Sequence, residues 1–333
     1  MDILTLLAQG IEQNASDLHL SVGLPPLLRL DGQLQVLDLP ILSNEQIEQW
    51  IFAMMTEQQQ QCFLQHQELD FAFTSKLPAR FRVNVFQQQR GIAAAFRFIP
   101  RKIPALATLN VSPALHKICD YKDGLVLITG PTGSGKTTTL AAILNQINQT
   151  CAQHIITIED PIEFIYKPQK SLINQREIHV HTDNFNNALR AALREDPDII
   201  LIGELRDLET IRLALTAAET GHLVLASLHA ISATKALNRI IDIFPTEEKA
   251  IVSTLLADIL RMVVAQLLSP KIGGGRVMAQ EILLCNDAVR NLIRENKSAQ
   301  IYSLMQTNVK LGMCTMAENL AVLRQKKIIA EYK

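Results

Sequence analysis

An apolar run at residues 125–128 leads into Gly130-Pro131-Thr132-Gly133-Ser134-Gly135-Lys136-Thr137, and a helix is expected to start at Lys136. Strand, glycine-rich turn and helix in that order make a phosphate-binding loop. The glycines let the backbone curl so that successive N–H groups point at phosphate oxygens. The helix adds the positive end of its dipole. Lys136 is placed to reach the β- and γ-phosphates, and the Thr137 hydroxyl to ligate Mg2+. Residues Gly130 to Thr138 are therefore the expected contacts of a nucleoside triphosphate. The full pattern with both flanks in agreement is far more specific than a lone G-x-G-x-x-G.

The surroundings fit. Strands are expected at 155–159, 199–202 and 223–228, alternating with helices at 136–148, 184–195 and 208–220, the last stopped by Gly221. Such alternation implies an α/β fold with a mostly parallel sheet, and ligands beyond the carboxyl ends of its strands. Beyond residue 245 the pattern is mostly helical, with helices expected at 247–268, 287–295 and 316–325. Gly273-Gly274-Gly275 makes a break before a strand at 277–284.

The first hundred residues read as a smaller α+β domain. Leu18, Leu20 and Val22 alternate with polar neighbours, as a half-buried strand requires. Leu28 and Leu30, then Asp31-Gly32, then Leu34 and Val36 signal a hairpin. Ser43 with Gln46 makes a capping box before a helix at 47–55, whose glutamine-rich far end, 58–61, reads as solvated surface. Phe81, Val83 and Val85 alternate again, and 92–99 is the expected partner strand. Pro100 and Pro104 interrupt helix and ladder alike. They divide the 333 residues into a domain at 1–100, a linker at 101–116 and a second domain at 117–333.

Composition removes other classes. With 32 basic against 33 acidic residues, net −1, nucleic acid is not an expected partner. Cys62, Cys119, Cys151, Cys285 and Cys314 form no C-x-x-C pair, which argues against a tetracysteine zinc site and suits a reducing compartment. No signal segment and no apolar run near the ~20 residues of a spanning helix is evident, so a cytoplasmic location is expected.

Several side chains fall where chemistry is expected. Glu204 follows Gly203 at the end of strand 199–202, where a carboxylate can orient a water against the γ-phosphate. Glu159, Asp160 and Glu163 cluster around Pro161 at the next strand's end, with Glu163 and Asp160 ahead of Glu159 as groups near Mg2+. Glu163 thus joins Thr137 as an expected metal ligand. His222 opens strand 223–228 and His229 closes it, at the favoured end for sensing phosphate. His179 and His181 are spaced for one face of a strand, too few on their own for a metal. Arg82, Arg97, Arg194 and Arg206 are candidates to neutralise a transferring phosphoryl group, and composition does not choose among them.

Together these motifs resemble the secretion ATPase superfamily, and within it the PilT-like type IV pilus retraction branch. The resemblance spans nearly the whole chain. It includes Ala15 to Leu20, Arg80 to Asn84, the phosphate loop, Thr157 to Phe164, Ala191 to Glu204 and Ala217 to His229. It implies a RecA-like P-loop ATPase domain with a smaller PAS-like α+β N-terminal domain, assembled as a homohexameric ring that hydrolyses ATP with Mg2+. It implies a catalytic role for Glu204, an aspartate box at Asp160 and Glu163, a histidine box at His222 and His229, and phosphate contacts from Arg82 and Arg97. It further implies an inner-membrane platform protein and an assembly ATPase as partners. Assembly ATPases generally have a longer N-terminal region and a tetracysteine insertion, and this sequence has neither. Residues Ala288 to Glu295 resemble the retraction motif, with Val289 for its usual isoleucine; Val289, Leu292 and Ile293 are expected to bury while Arg290 and Arg294 share a ridge. Ala230 replaces the threonine that commonly follows the second box histidine, and the C-terminal tail is short for the branch. A secretion, pilus-assembly or DNA-uptake ATPase and a non-hydrolytic nucleotide-sensing regulator are the alternatives.

Overall fold

Residues 2–30 and 32–331 are described by a computed structural model, in which the chain separates into two units. One comprises Met1–Lys102 with Pro161–Ile165, the other Ile103–Asp160 with Tyr166–Lys333.

The first unit runs α1 (Ile3–Glu12), β1 (Asp17–Ser21), β2 (Leu27–Leu30), β3 (Gln33–Val36), α2 (Asn44–Phe52), α3 (Glu57–His66), β4 (Glu68–Thr74), β5 (Ala79–Gln88) and β6 (Gly91–Pro100). Its sheet, ordered β3-β2-β1-β6-β5-β4, is antiparallel throughout. Strict alternation on β5 buries Phe81, Val83 and Val85 with Leu6, Leu7, Ile47 and Ile51, and turns Arg80, Arg82 and Asn84 to the other face. Leu30 pairs with Gln33, and Gly32 takes φ +87°, while Asp31 lies outside the described residues. Ser43 caps α2 by accepting from the Gln46 N–H at 3.2 Å. The glutamines at 58–61 belong to a separate helix, α3, started by a capping box between Thr56 and Gln59.

The second unit opens with two 3-10 segments, Leu106–Leu109 and Pro113–Asp120. These occupy half of the stretch expected as linker, residues 106–109 and 113–116, and they bury Leu106, Ala114 and Leu115, so that half is packed structure. Then follow β7 (Gly124–Thr129), α4 (Lys136–Thr150), β8 (His154–Glu159), β9 (Leu172–Glu177), α5 (Phe185–Ala192), β10 (Ile199–Ile202), α6 (Leu208–Glu219), β11 (Leu223–Leu228), α7 (Ala233–Asp242), α8 (Lys249–Ile259), β12 (Leu260–Pro270), β13 (Arg276–Leu284), α9 (Asp287–Arg294), α10 (Ser298–Thr307) and α11 (Met316–Gln325). The sheet order is β13-β12-β7-β11-β10-β8-β9, and every pairing is parallel except β12 with β13.

The helix expected over 247–268 is corrected here. It ends at Ile259, and β12 follows at once. Residues 262–266 are all buried, between β7 on one side and β13 on the other. A strand covered on both faces shows no alternation, and periodicity does not separate it from a buried helix.

Glu281 on β13 is buried, yet its carboxylate is satisfied. Oε1 accepts from the Ala233 N–H at 2.7 Å and Oε2 from the Met316 N–H at 3.4 Å. These are the first residues of α7 and α11, so one carboxylate lies on two helix amino ends, where the dipoles favour negative charge.

Candidate active site

The site collects at the carboxyl ends of β7, β11, β10 and β8, which the register holds side by side: Thr129 opposite Leu228, Ile202 opposite both Ala226 and Ile158. Every residue of β7 is buried, and the chain leaves it through Gly130 at φ +152°. A Cβ at Gly130 would run into the Gln266 carbonyl oxygen on β12, so only glycine permits the turn. Gln266 also donates from Nε2 to the Ser134 carbonyl at 2.9 Å, fastening the loop from below.

Gly135 is the residue before α4. Asn184, Asp207 and Ser232 each close a following helix by accepting one of its N–H groups, whereas among the described residues α4 has no side-chain cap. Its first-turn N–H groups are left for an anion. Lys136 Nζ lies 3.0 Å from the carbonyl oxygens of both Gly130 and Pro131, folded over the loop it serves. Beside the first turn of α4 lies a cavity of about 250 Å³. Thr138, Thr139, Gln266 and Met278 line it, and Lys271 and Arg276 belong to its wall.

Glu204 and His229 meet at the ends of β10 and β11. His229 Nε2 is 3.1 Å from Glu204 Oε1, and Arg206 is 2.9 Å from Oε2. Local bonds fix this corner: Gly203 N–H donates to the Ile158 carbonyl at 2.8 Å, Leu205 N–H to the Ser227 carbonyl at 2.9 Å, and the Ser227 hydroxyl to the Gly203 carbonyl. Arg239 on α7 donates to the His229 carbonyl at 2.9 Å. Of the candidate arginines in this unit, Arg206 is brought to the glutamate. Arg194 sits exposed just after α5.

The acidic turn divides. Glu159 is buried and accepts from the Thr157 hydroxyl at 2.7 Å and from Gln175 at 3.3 Å, which makes it a support of the β8–β9 edge. Asp160 is half-buried at the strand's end. Glu163, also half-buried, belongs to the short segment that groups with the first unit.

The histidines divide by position, and one expectation about them changes. His222 and His229 bracket a six-residue strand, so at about 3.3 Å per residue they stand roughly 20 Å apart, at opposite ends of the sheet. His222 Nδ1 lies 3.0 Å from the Ala217 carbonyl oxygen, away from Glu204. His179 and His181 do not share a strand face, because β9 ends at Glu177 and both lie in the turn after it, His179 with φ +64°. Among the described residues no group of three or more His, Cys, Asp or Glu converges as a metal site.

In the first unit, Arg82 and Arg97 are direct cross-strand partners on β5 and β6. Each has a carboxylate, Asp70 for Arg82 and Asp17 for Arg97, both at 3.3 Å, and Arg29 reaches Asp17 from the other side at 3.7 Å. Two like charges opposite each other on a sheet are unfavourable unless anions face them. Burial holds the nearby His19 imidazole below its usual range, against the pull of Asp17.

Helix α9 buries Val289 and Ile293, with Leu292 partly covered. Arg290 pairs with Asp287 at 3.1 Å, and Arg294 pairs with Asp258 on α8.

Parallel α/β sheet, phosphate loop, uncapped α4 and a strand-end glutamate together define a RecA-like P-loop nucleotide-binding domain, here on the same chain as a smaller antiparallel α+β domain. The chain belongs to the type II/IV secretion system protein family, whose model matches residues 5–274. It is 53% identical to the type IV pilus retraction ATPase PilT of Pseudomonas aeruginosa, over 99% of this chain and 96% of that one. It is 49% identical to a twitching motility protein of Neisseria gonorrhoeae, over 98% and 88%. A crystal structure of the pilus retraction motor PilT with bound ADP superposes with a TM-score of 0.90 at 47% identity, covering 99% of this chain and 95% of that chain. Among the described residues no helix is long and apolar enough to cross a membrane.

Proposed function

We propose that this protein is an ATP-hydrolysing motor that withdraws type IV pili, working as a ring of six copies at the cytoplasmic face of the inner membrane. The observation that carries the proposal is the Glu204–His229 pair beside an intact phosphate loop, in a chain that matches PilT of Pseudomonas aeruginosa almost end to end.

The loop N–H groups and Lys136 hold the β- and γ-phosphates, and the cavity beside Thr138 receives the nucleoside. Glu204 orients the attacking water, with His229 fixing the carboxylate. The Thr137 hydroxyl and the Asp160 carboxylate are hard oxygen donors. They suit Mg2+, which takes few protein ligands and completes its shell with phosphate and water oxygens. When bound, the ion supplies neutralisation of the phosphoryl oxygens. Arg82 and Arg97 serve a phosphate presented by a neighbouring copy, exchanging their present partners Asp70 and Asp17 for it. Hydrolysis is coupled to rearrangement of the two units, and α9 passes that movement to a membrane platform protein.

A steady-state ATPase assay on the purified protein, paired with deletion of the gene, tests this. Turnover together with hyperpiliated, non-twitching cells is the expected result. Bald cells would replace retraction by assembly, and nucleotide binding without turnover would make the protein a regulator.

A further inference from the structure

We infer that Thr129, the residue before the phosphate loop, is a positioning residue that sets His229 against Glu204. The inference rests on the ATPase function proposed above.

Thr129 is fully buried, and its hydroxyl is used twice on one residue of another loop. Oγ1 donates to the Ala230 carbonyl at 2.7 Å and accepts from the Ala230 N–H at 2.9 Å. The parallel ladder between β7 and β11 ends at the Thr129–Leu228 pair, so backbone pairing no longer holds the chain at Ala230. The threonine hydroxyl extends the connection beyond that point. The Ala230 N–H belongs to the peptide whose carbonyl is that of His229, and that carbonyl accepts from Arg239 at 2.9 Å. One peptide plane is thus gripped at both ends, by Thr129 and by Arg239, and the His229 side chain leaves the backbone directly beside it.

The next residue in sequence, Gly130, donates to the Leu228 carbonyl at 3.4 Å and supplies one of the two carbonyls that Lys136 meets. The phosphate loop and the His229 loop therefore share an anchor. A displacement of the loop's first residue is felt at the histidine that touches Glu204. Both Thr129 bonds are to backbone atoms, so they do not depend on which side chain stands at 230. The substitution of alanine for the threonine common there leaves this anchor whole.

The test uses the full chain carrying Thr129→Val, Thr129→Ala or Thr129→Ser. The first two remove the hydroxyl, and Thr129→Ala adds no bulk should Thr129→Val fold poorly. Either hydroxyl-free variant is expected to bind ATP within about two-fold of wild type while kcat falls about ten-fold or more. Thr129→Ser restores kcat to within about two-fold of wild type, a rescue that loss of packing would not give. Combined with His229→Ala, Thr129→Val lowers kcat by no more than about a further two-fold, because both act through one contact. Amide exchange at Ala230 in the nucleotide-free protein speeds up about ten-fold or more without the hydroxyl.

A hydroxyl-free variant that turns over at the wild-type rate overturns the assignment. So does one that loses ATP affinity in place of kcat, a serine variant as impaired as valine, or losses that multiply with His229→Ala. If wild type itself does not hydrolyse ATP, the proposed function fails. The exchange measurement still decides the anchor, and unchanged exchange at Ala230 overturns it.

Discussion

His229 Nε2 stands 3.1 Å from Glu204 Oε1, across the ends of two neighbouring parallel strands. The contact leaves Glu204 oriented rather than free to rotate, as its proposed role of aiming a water requires. Glu204→Gln replaces an acceptor by a donor on one oxygen and removes the base. Its kcat is expected to fall by about 10²–10⁴ while ATP affinity stays within about three-fold, as read by steady-state kinetics and by equilibrium nucleotide binding. Unchanged turnover would remove Glu204 from the reaction.

Lys136→Ala should act on binding instead. The ammonium group now rests on the Gly130 and Pro131 carbonyls, and it has to exchange them for phosphate oxygens. Affinity for a fluorescent ATP analogue is expected to drop about ten-fold or more. The melting temperature should change little, because hydrogen bonds at the loop's open side contribute only about 1 kcal/mol each.

Arg82→Ala and Arg97→Ala are predicted to be nearly neutral for folding, since each removes a partly exposed ion pair of about 0–1 kcal/mol. Both should nevertheless lower ATPase activity about ten-fold or more. If they serve a neighbouring copy's phosphate, mixing Arg97→Ala with Glu204→Gln protein and allowing subunits to exchange will restore activity above the sum of the two alone. No recovery would place these arginines outside the shared site.

Arg294→Ala breaks the exposed pair with Asp258 on α8. Melting and ATP hydrolysis should both stay near wild type, the latter within about two-fold, while pilus retraction in cells is lost. Normal retraction by this variant would detach α9 from force transmission.

Burial pushes the thiols of Cys119, Cys285 and Cys314 up to about 11. A raised thiol pKa keeps the neutral form, so at pH 8 only about one part in a thousand is thiolate, the reactive species. Iodoacetamide at pH 8 should leave these three cysteines largely unmodified in the folded protein and alkylate them after denaturation, as mass spectrometry will show. Rapid native alkylation at Cys285 would contradict its partly buried setting.

What the sequence disclosed depended on how local each signal is. The phosphate loop and the alternation of Phe81, Val83 and Val85 are written in adjacent residues, and the sheets follow from them. β12 was concealed because Leu260–Pro270 owes its strand to two partners, one of them more than a hundred residues earlier. The separation of His222 from His229 was readable, since a strand of six residues stands between them. Arg206 at Glu204 is two positions away, yet composition offered no reason to choose it. The Thr129–Ala230 anchor spans 101 positions and arises only from register. Glu159 showed its role only through Thr157 and Gln175, which donate to its carboxylate from β8 and β9.

The Glu281 carboxylate, shared by the first N–H groups of α7 and α11, has a practical result for genetics. One of those helices starts four residues after His229, and the other is the last helix among the described residues. A substitution at position 281 loosens both starts together, so its phenotype will resemble two unrelated lesions, and no single compensating change near either helix should cure it completely.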